Sequence, residues 1–211
     1  MSDRNAPPRL RRLRLILWAT VAFAVLGFGS LLYLSRPTSG SIAAPGMPGF
    51  TLGGAPFALT DTDGHRFASS ALAGKPYVIF FGFTHCPDVC PTTLARLSRL
   101  RAKLPGGSDA LRIVFVTVDP ERDTASVLRT YASLFDTPVT MLTGSAAEIA
   151  AVEKQHGIYA AKVPQPGSPD GYTMDHSAAA LLFDRAGKFV ATIAPDEPDA
   201  AALAKLKRAV G

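Results

Sequence analysis

Two cysteines stand four residues apart, Cys86 and Cys90, and they are the only cysteines in the 211-residue chain. Just before them lies an unbroken apolar run, Tyr77 to Phe83, rich in aromatic and β-branched residues, with a glycine at position 82. Such a run suits a strand covered on both faces. From Pro91 onward, Leu94, Leu97, Leu100 and Leu104 recur at helical steps. The pair therefore sits at a strand-to-helix junction, where amide N–H groups and the helix dipole favour thiolate over thiol. Two close thiolates can form a disulfide or hold a soft metal ion. As a structural staple the pair would close almost no loop and stabilise little. As a redox dithiol it differs from thioredoxin-type motifs, which place two residues between the cysteines. Here there are three, Pro87, Asp88 and Val89. A soft, low-coordinate ion such as Cu(I) suits two sulfurs, and a third ligand would help.

Imidazole is the natural third ligand, and the chain has four histidines. His65 falls in an expected hairpin turn, in solvent. His156 ends an expected helix, where a cation complements the dipole. His85 adjoins Cys86 and can tune its pKa or compete as a ligand. His176 lies in Tyr172-Thr-Met-Asp-His-Ser177, the approach from a Pro- and Gly-rich loop (164–171) to a strand. Thioredoxin-like folds bring that corner against the reactive helix, commonly with a cis-proline, yet no proline occurs between Met174 and Ile193. His176 is thus the expected metal ligand. Asp119 reads as a turn residue capping the following helix, with Asp88 solvated or facing a partner and Met174 a packing residue.

The elements needed to position these groups follow from pattern. Phe57 to Phe67 reads as a β-hairpin turning at Asp63-Gly64. Leu111 to Val118 is a second buried strand, followed by a helix capped by Asp123 or Thr124 and running to about Phe135. Val139 to Leu142 is a short strand. Ser145 to His156 is a helix with Glu148 in capping-box position, and Ile158 to Val163 is extended. Strand Ala178 to Asp184 turns at Arg185-Ala-Gly187 into Lys188 to Ile193, and Pro198 opens a last helix. The order β-α-β-α-β-α closed by a hairpin and a helix is that of an α/β, thioredoxin-like domain with an extra N-terminal hairpin, over residues 49–211.

Ahead of this domain, residues 15–34 carry no charge and are long enough, at about 1.5 Å each, to cross a bilayer core as one transmembrane helix. Residues 1–14 form a basic tail and 35–48 a Pro/Gly/Ser/Ala linker. The arginines ahead of the span put the N-terminus in the cytoplasm and the domain across the membrane. Residues 1–36 hold six arginines against one aspartate, and the remainder balances at 16 basic and 16 acidic residues. The formal net charge of +5 thus belongs to the N-terminal segment, and no nucleic-acid partner is implied.

Gly82-Phe-Thr-His-Cys-Pro-Asp-Val-Cys-Pro91, Val118-Asp-Pro-Glu-Arg-Asp-Thr124 and Asp175-His-Ser177 resemble the Sco/SenC family, over about residues 45–210. These are membrane-tethered, thioredoxin-like copper chaperones that assist assembly of the binuclear CuA centre of cytochrome c oxidase. The resemblance implies copper bound by Cys86, Cys90 and His176, as Cu(I) in trigonal S2N geometry with Cu(II) left open. It implies oxidase subunit II as acceptor, a copper donor protein, and a single-pass anchor in a bacterial inner membrane with the domain in the periplasm. The alternative is a thiol–disulfide oxidoreductase in which Cys86 and Cys90 act as a redox pair on the acceptor's cysteines. Copper retention requires His176; disulfide exchange requires only the cysteines.

Overall fold

A computed structural model describes residues 18–22, 56–168 and 170–211. Of the expected span 15–34, only residues 18–22 fall within these, and they are helical; the rest of that expectation, the tail and the linker lie outside the described residues. No helix among the described residues is long and apolar enough to cross a membrane.

Strands β1 (Ala58–Asp61) and β2 (Arg66–Ala68) form the N-terminal hairpin. Its turn needs a left-handed residue, which Gly64 supplies at φ 81°. Then β3 (Tyr77–Gly82), helix α1 (Val89–Arg101), β4 (Arg112–Thr117), α2 (Ala125–Ala132), β5 (Thr140–Thr143) and α3 (Ala146–His156) alternate. β6 (Ala160–Pro164), β7 (Tyr172–His176), β8 (Ala180–Phe183), β9 (Phe189–Ile193) and α4 (Asp199–Val210) complete the chain. Seven strands make one sheet in the order β2-β1-β5-β4-β3-β8-β9. β3, β4 and β5 run parallel at its centre, and the other pairings are antiparallel. This is the expected α/β order, with both apolar runs as central strands. All six residues of β3 are buried, as are five of the six in β4. Their apolar side chains share one core cluster with Leu94, Leu97 and Leu100 of α1, and burial contributes on the order of 1.5–3 kcal/mol for each large side chain.

Local signals set the helix boundaries. Thr124, not Asp123, caps α2, its hydroxyl accepting from the Val127 N–H. Ser145 and Glu148 form the expected reciprocal capping box on α3. α2 stops at Ala132, short of the expected Phe135, with Ser133 donating its hydroxyl to the Thr130 carbonyl at the helix end.

Two expectations need correction. The stretch from Tyr172 to His176 is not an irregular approach to the next strand: it is β7, paired antiparallel with β6 in a separate two-stranded ribbon, His176 opposite Ala160. His156 ends its helix as expected, but not as a cation complementing the dipole. It is 2% exposed, ringed by Phe57, Phe81 and Phe183, and its Nδ1–H donates to the Val152 carbonyl at 2.8 Å. Burial holds its pKa below the ordinary imidazole value, so the neutral ring is a core residue.

Candidate metal centre

β3 delivers the chain to the carboxyl ends of the parallel strands, where open α/β sheets collect their reactive groups. A turn then closes with the Cys86 N–H donating to the Phe83 carbonyl at 3.3 Å. α1 begins at Val89, so Cys86 precedes the helix and Cys90 occupies its first turn. The Cys90 N–H points at the Cys86 Sγ, 3.4 Å away. Cys86 is half-buried and Cys90 fully buried, and both are free thiols.

The two sulfurs are inequivalent. The Cys90 S–H donates to the Cys86 sulfur, and the Cys90 and Asp88 N–H groups point at it too; against the pull of partial burial, Cys86 falls to about 5. The same S–H···S bond, with burial, pushes Cys90 up, although a Phe83 backbone hydrogen bond works the other way. At neutral pH the pair holds one thiolate, on the more exposed sulfur, and one thiol.

The ribbon brings in the third group. His176 Nε2 lies 3.8 Å from Cys90 Sγ, and Nδ1 lies 3.0 Å from the Ser177 carbonyl. A carbonyl only accepts, so Nδ1 carries a proton, and in the neutral ring Nε2 has its lone pair toward the Cys90 sulfur. A ring nitrogen free toward the site, with the other N–H anchored on a carbonyl, is how imidazole ligands are oriented. Phe83 packs edge-on against this ring at 5.8 Å and Phe80 at 6.5 Å. No cis peptide bond occurs among the described residues, and the end of the β6–β7 ribbon lies beside Cys90.

Gly82 makes the space. A Cβ there would sit 2.9 Å from Cys90 Sγ and 2.9 Å from Phe115 Cε2, closer than real side chains come. The glycine is therefore required by packing rather than by backbone conformation.

Two networks behind the site were not read from the sequence. Asp123 is fully buried; it accepts from the Thr84 N–H at 3.0 Å, the Thr84 hydroxyl at 2.5 Å and the Thr117 hydroxyl at 2.6 Å, tying the cysteine turn to β4. Burial raises its pKa, against these three hydrogen bonds. Asp119 does not cap α2 as expected. Its carboxylate, also buried, pairs with Arg122 and accepts from the Tyr172 hydroxyl at 3.0 Å. The Arg122 guanidinium stacks 4.0 Å from the Tyr172 ring centroid and donates to the Tyr172 carbonyl at 3.3 Å. β7, which ends in His176, is thus clamped at its start. The available signal was polar: Thr84 follows β3, Thr117 ends β4, and Asp119 and Asp123 follow it, all at the carboxyl ends of central strands.

Among the other expected groups, Met174 packs against the core and Asp88 is exposed at the N-cap without capping through its side chain. His65 meets Asp61 and Asp63, but Asp61 Oδ1 accepts the Asp63 and His65 N–H groups at 2.9 Å each, which accounts for the cluster as a turn.

Comparison with known proteins agrees with this architecture. The SCO1/SenC family profile matches residues 47–211. The yeast Saccharomyces cerevisiae mitochondrial protein SCO2 is 33% identical over 213 residues, covering 97% of this chain and 70% of its own. The structure of Bradyrhizobium japonicum ScoI with copper bound is 43% identical, with a TM-score of 0.67, covering 75% of this chain and 99% of its own. BsSco, described as a member of the Sco family of cytochrome c oxidase assembly proteins and studied for a disulfide switch, is 26% identical. Its TM-score is 0.59, with 76% of this chain and 94% of its own covered. On the extent of the profile match and the identity to SCO2, this chain, with its thioredoxin-like domain, belongs to the SCO1/SenC family.

Proposed function

We propose that the chain takes up copper as Cu(I) through Cys86 Sγ, Cys90 Sγ and His176 Nε2, and passes it on during assembly of the CuA centre of cytochrome c oxidase, with subunit II as acceptor. The observation that carries this reading is His176 Nε2 lying 3.8 Å from Cys90 Sγ while the ring's other nitrogen is held by the Ser177 carbonyl. Two thiolates and one neutral imidazole match the ligand preference of Cu(I). Cys86, already a thiolate, presents the first sulfur. Cys90 gives up its proton to solvent as its sulfur joins, so copper binding releases one proton. Three-coordination leaves room for an acceptor sulfur to enter before a resident ligand leaves, so copper is handed over without passing through bulk water.

Copper competition tests this. The reduced full-length chain, wild type and His176→Ala, is titrated against a coloured Cu(I) chelator. The expected result is one tightly held equivalent in wild type. Loss of His176 should weaken retention by more than about 100-fold, since even groups that only orient ligands cost 10–100-fold when removed. A wild type that holds no copper, together with equal dithiol reduction of a model disulfide by both proteins, sinks the copper reading in favour of thiol–disulfide exchange.

A further inference from the structure

His85 remains outside the site described above. It is exposed, and it lies in the turn closed by the Cys86 N–H to Phe83 carbonyl bond, immediately before the more accessible of the two sulfurs. Its ring is nonetheless held. Nδ1 lies 3.2 Å from Thr84 Oγ1, and that hydroxyl donates at 2.5 Å to Asp123 Oδ1. A hydroxyl has one proton, and here the buried carboxylate takes it. What Thr84 offers the imidazole is a lone pair, so Nδ1 carries the ring proton and Nε2 is left as the bare, basic nitrogen. A carboxylate acting through an intermediary to fix a tautomer and free the other ring nitrogen is the arrangement found behind imidazole metal ligands.

Accessibility supplies the second half. Cys90 is fully buried, whereas Cys86 is only half-buried and follows the exposed His85. Copper arriving from outside meets Cys86 first, with His85 as its chain neighbour. We propose that His85 Nε2 and Cys86 Sγ form an entry pair that holds incoming Cu(I) in two-coordination before it moves inward. This rests on the copper-handling reading given above. The sequence of exchanges balances with copper as Cu(I) throughout. The donor's ligands are replaced by Cys86 Sγ and His85 Nε2. Cys90 Sγ then bonds to the metal, its proton leaving to solvent, and His176 Nε2 joins as the His85–copper bond breaks. Delivery runs the same steps in reverse, so that His85 acts on rate rather than on the final S2N complex.

The test separates rate from retention. Reduced, full-length chain is mixed anaerobically in a stopped-flow instrument with Cu(I) held by bicinchoninate, whose colour is lost on transfer. Wild type, His85→Gln, Thr84→Val and Thr84→Ser are compared, and the final copper distribution is read from the same traces. In His85→Gln the transfer rate is expected to fall about tenfold, the low end of the effect of ligand-orienting groups, while the final distribution shifts less than twofold. Thr84→Val should slow transfer less strongly, and Thr84→Ser, which keeps the hydroxyl, should restore the wild-type rate. A wild-type rate in His85→Gln overturns the entry pair. So does a parallel fall in rate and retention, which would make His85 a resident ligand or a structural residue. Should Thr84→Val fail to fold, His85→Gln decides alone. If wild type takes no copper from bicinchoninate, the copper-handling reading itself falls, an outcome distinct from transfer that ignores His85.

Discussion

Substituting Gly82 by alanine is the most informative perturbation of the site, because the clash it creates has two separable parts. The new Cβ would stand 2.9 Å from Cys90 Sγ and from Phe115 Cε2, and 3.3 Å from Phe80 Cε1. Comfortable non-bonded separations are about 3.5–4.0 Å, so the thiol and the Phe115 ring must each retreat by roughly 0.6–1.1 Å. Overpacking of this kind costs about 1–3 kcal/mol. At about 2–4 °C per kcal/mol for a domain of this size, melting should fall by roughly 2–12 °C. The displacement matters more for metal binding than for folding, since ligand positions in a metal site are held to about 0.2 Å. Cu(I) retention by chelator competition should therefore drop by at least about tenfold, with secondary structure by circular dichroism unchanged. Adding Phe115→Leu relieves the ring clash but leaves the sulfur clash. The double variant should recover part of the melting temperature and none of the copper affinity, the non-additivity expected of residues in contact. Wild-type copper retention in Gly82→Ala would refute the argument that this glycine exists to seat the Cys90 sulfur, and recovery of both properties together in the double variant would show that only general packing is at stake.

Two further outcomes follow from the same site. Cys86 has a pKa of about 5 and Cys90 a raised one. Alkylation of the reduced protein by iodoacetamide should therefore modify Cys86 first. The thiolate fraction grows with pH, so the rate should rise through about pH 5 and be nearly flat between pH 6.5 and 8; a midpoint near the ordinary thiol value, read by mass spectrometry, would contradict the S–H···S asymmetry. Arg122→Leu leaves the buried Asp119 carboxylate without its cation and should cost about 3–5 kcal/mol in urea denaturation. Combining it with Asp119→Leu should restore much of that stability, while copper retention stays weakened in both variants because the start of β7 is no longer clamped; full retention in Arg122→Leu would show that the clamp does not position His176.

Much of this protein is legible in one dimension because its signals are local. The apolar runs at 77–83 and 111–118 are two of the three central parallel strands, and Ser145 with Glu148 marks a helix start by hydrogen bonds spanning three residues. The two cysteines, four apart across a strand-to-helix junction, are neighbours by chain geometry alone, so their chemistry could be stated before any fold was known. What the sequence could not show depends on separation. His176 is 86 residues from Cys90, and its ring nitrogen faces the sulfur only because the β6–β7 ribbon, a pairing that no local signal specifies, carries it there. His156 was misread for the same reason. Its position at a helix end is a local fact, but its neutral state is decided by Phe57, Phe81 and Phe183 arriving from three distant strands and loops. Asp119 and Asp123 sit four residues apart in one motif and look alike in sequence, yet one pairs with a cation on the ribbon side and the other takes three hydrogen bonds on the cysteine side. Residue type and spacing determined which groups could do chemistry. Tertiary packing alone decided their partners, their protonation and the direction each lone pair faces, because those are set by burial and by contacts between segments the sequence keeps far apart.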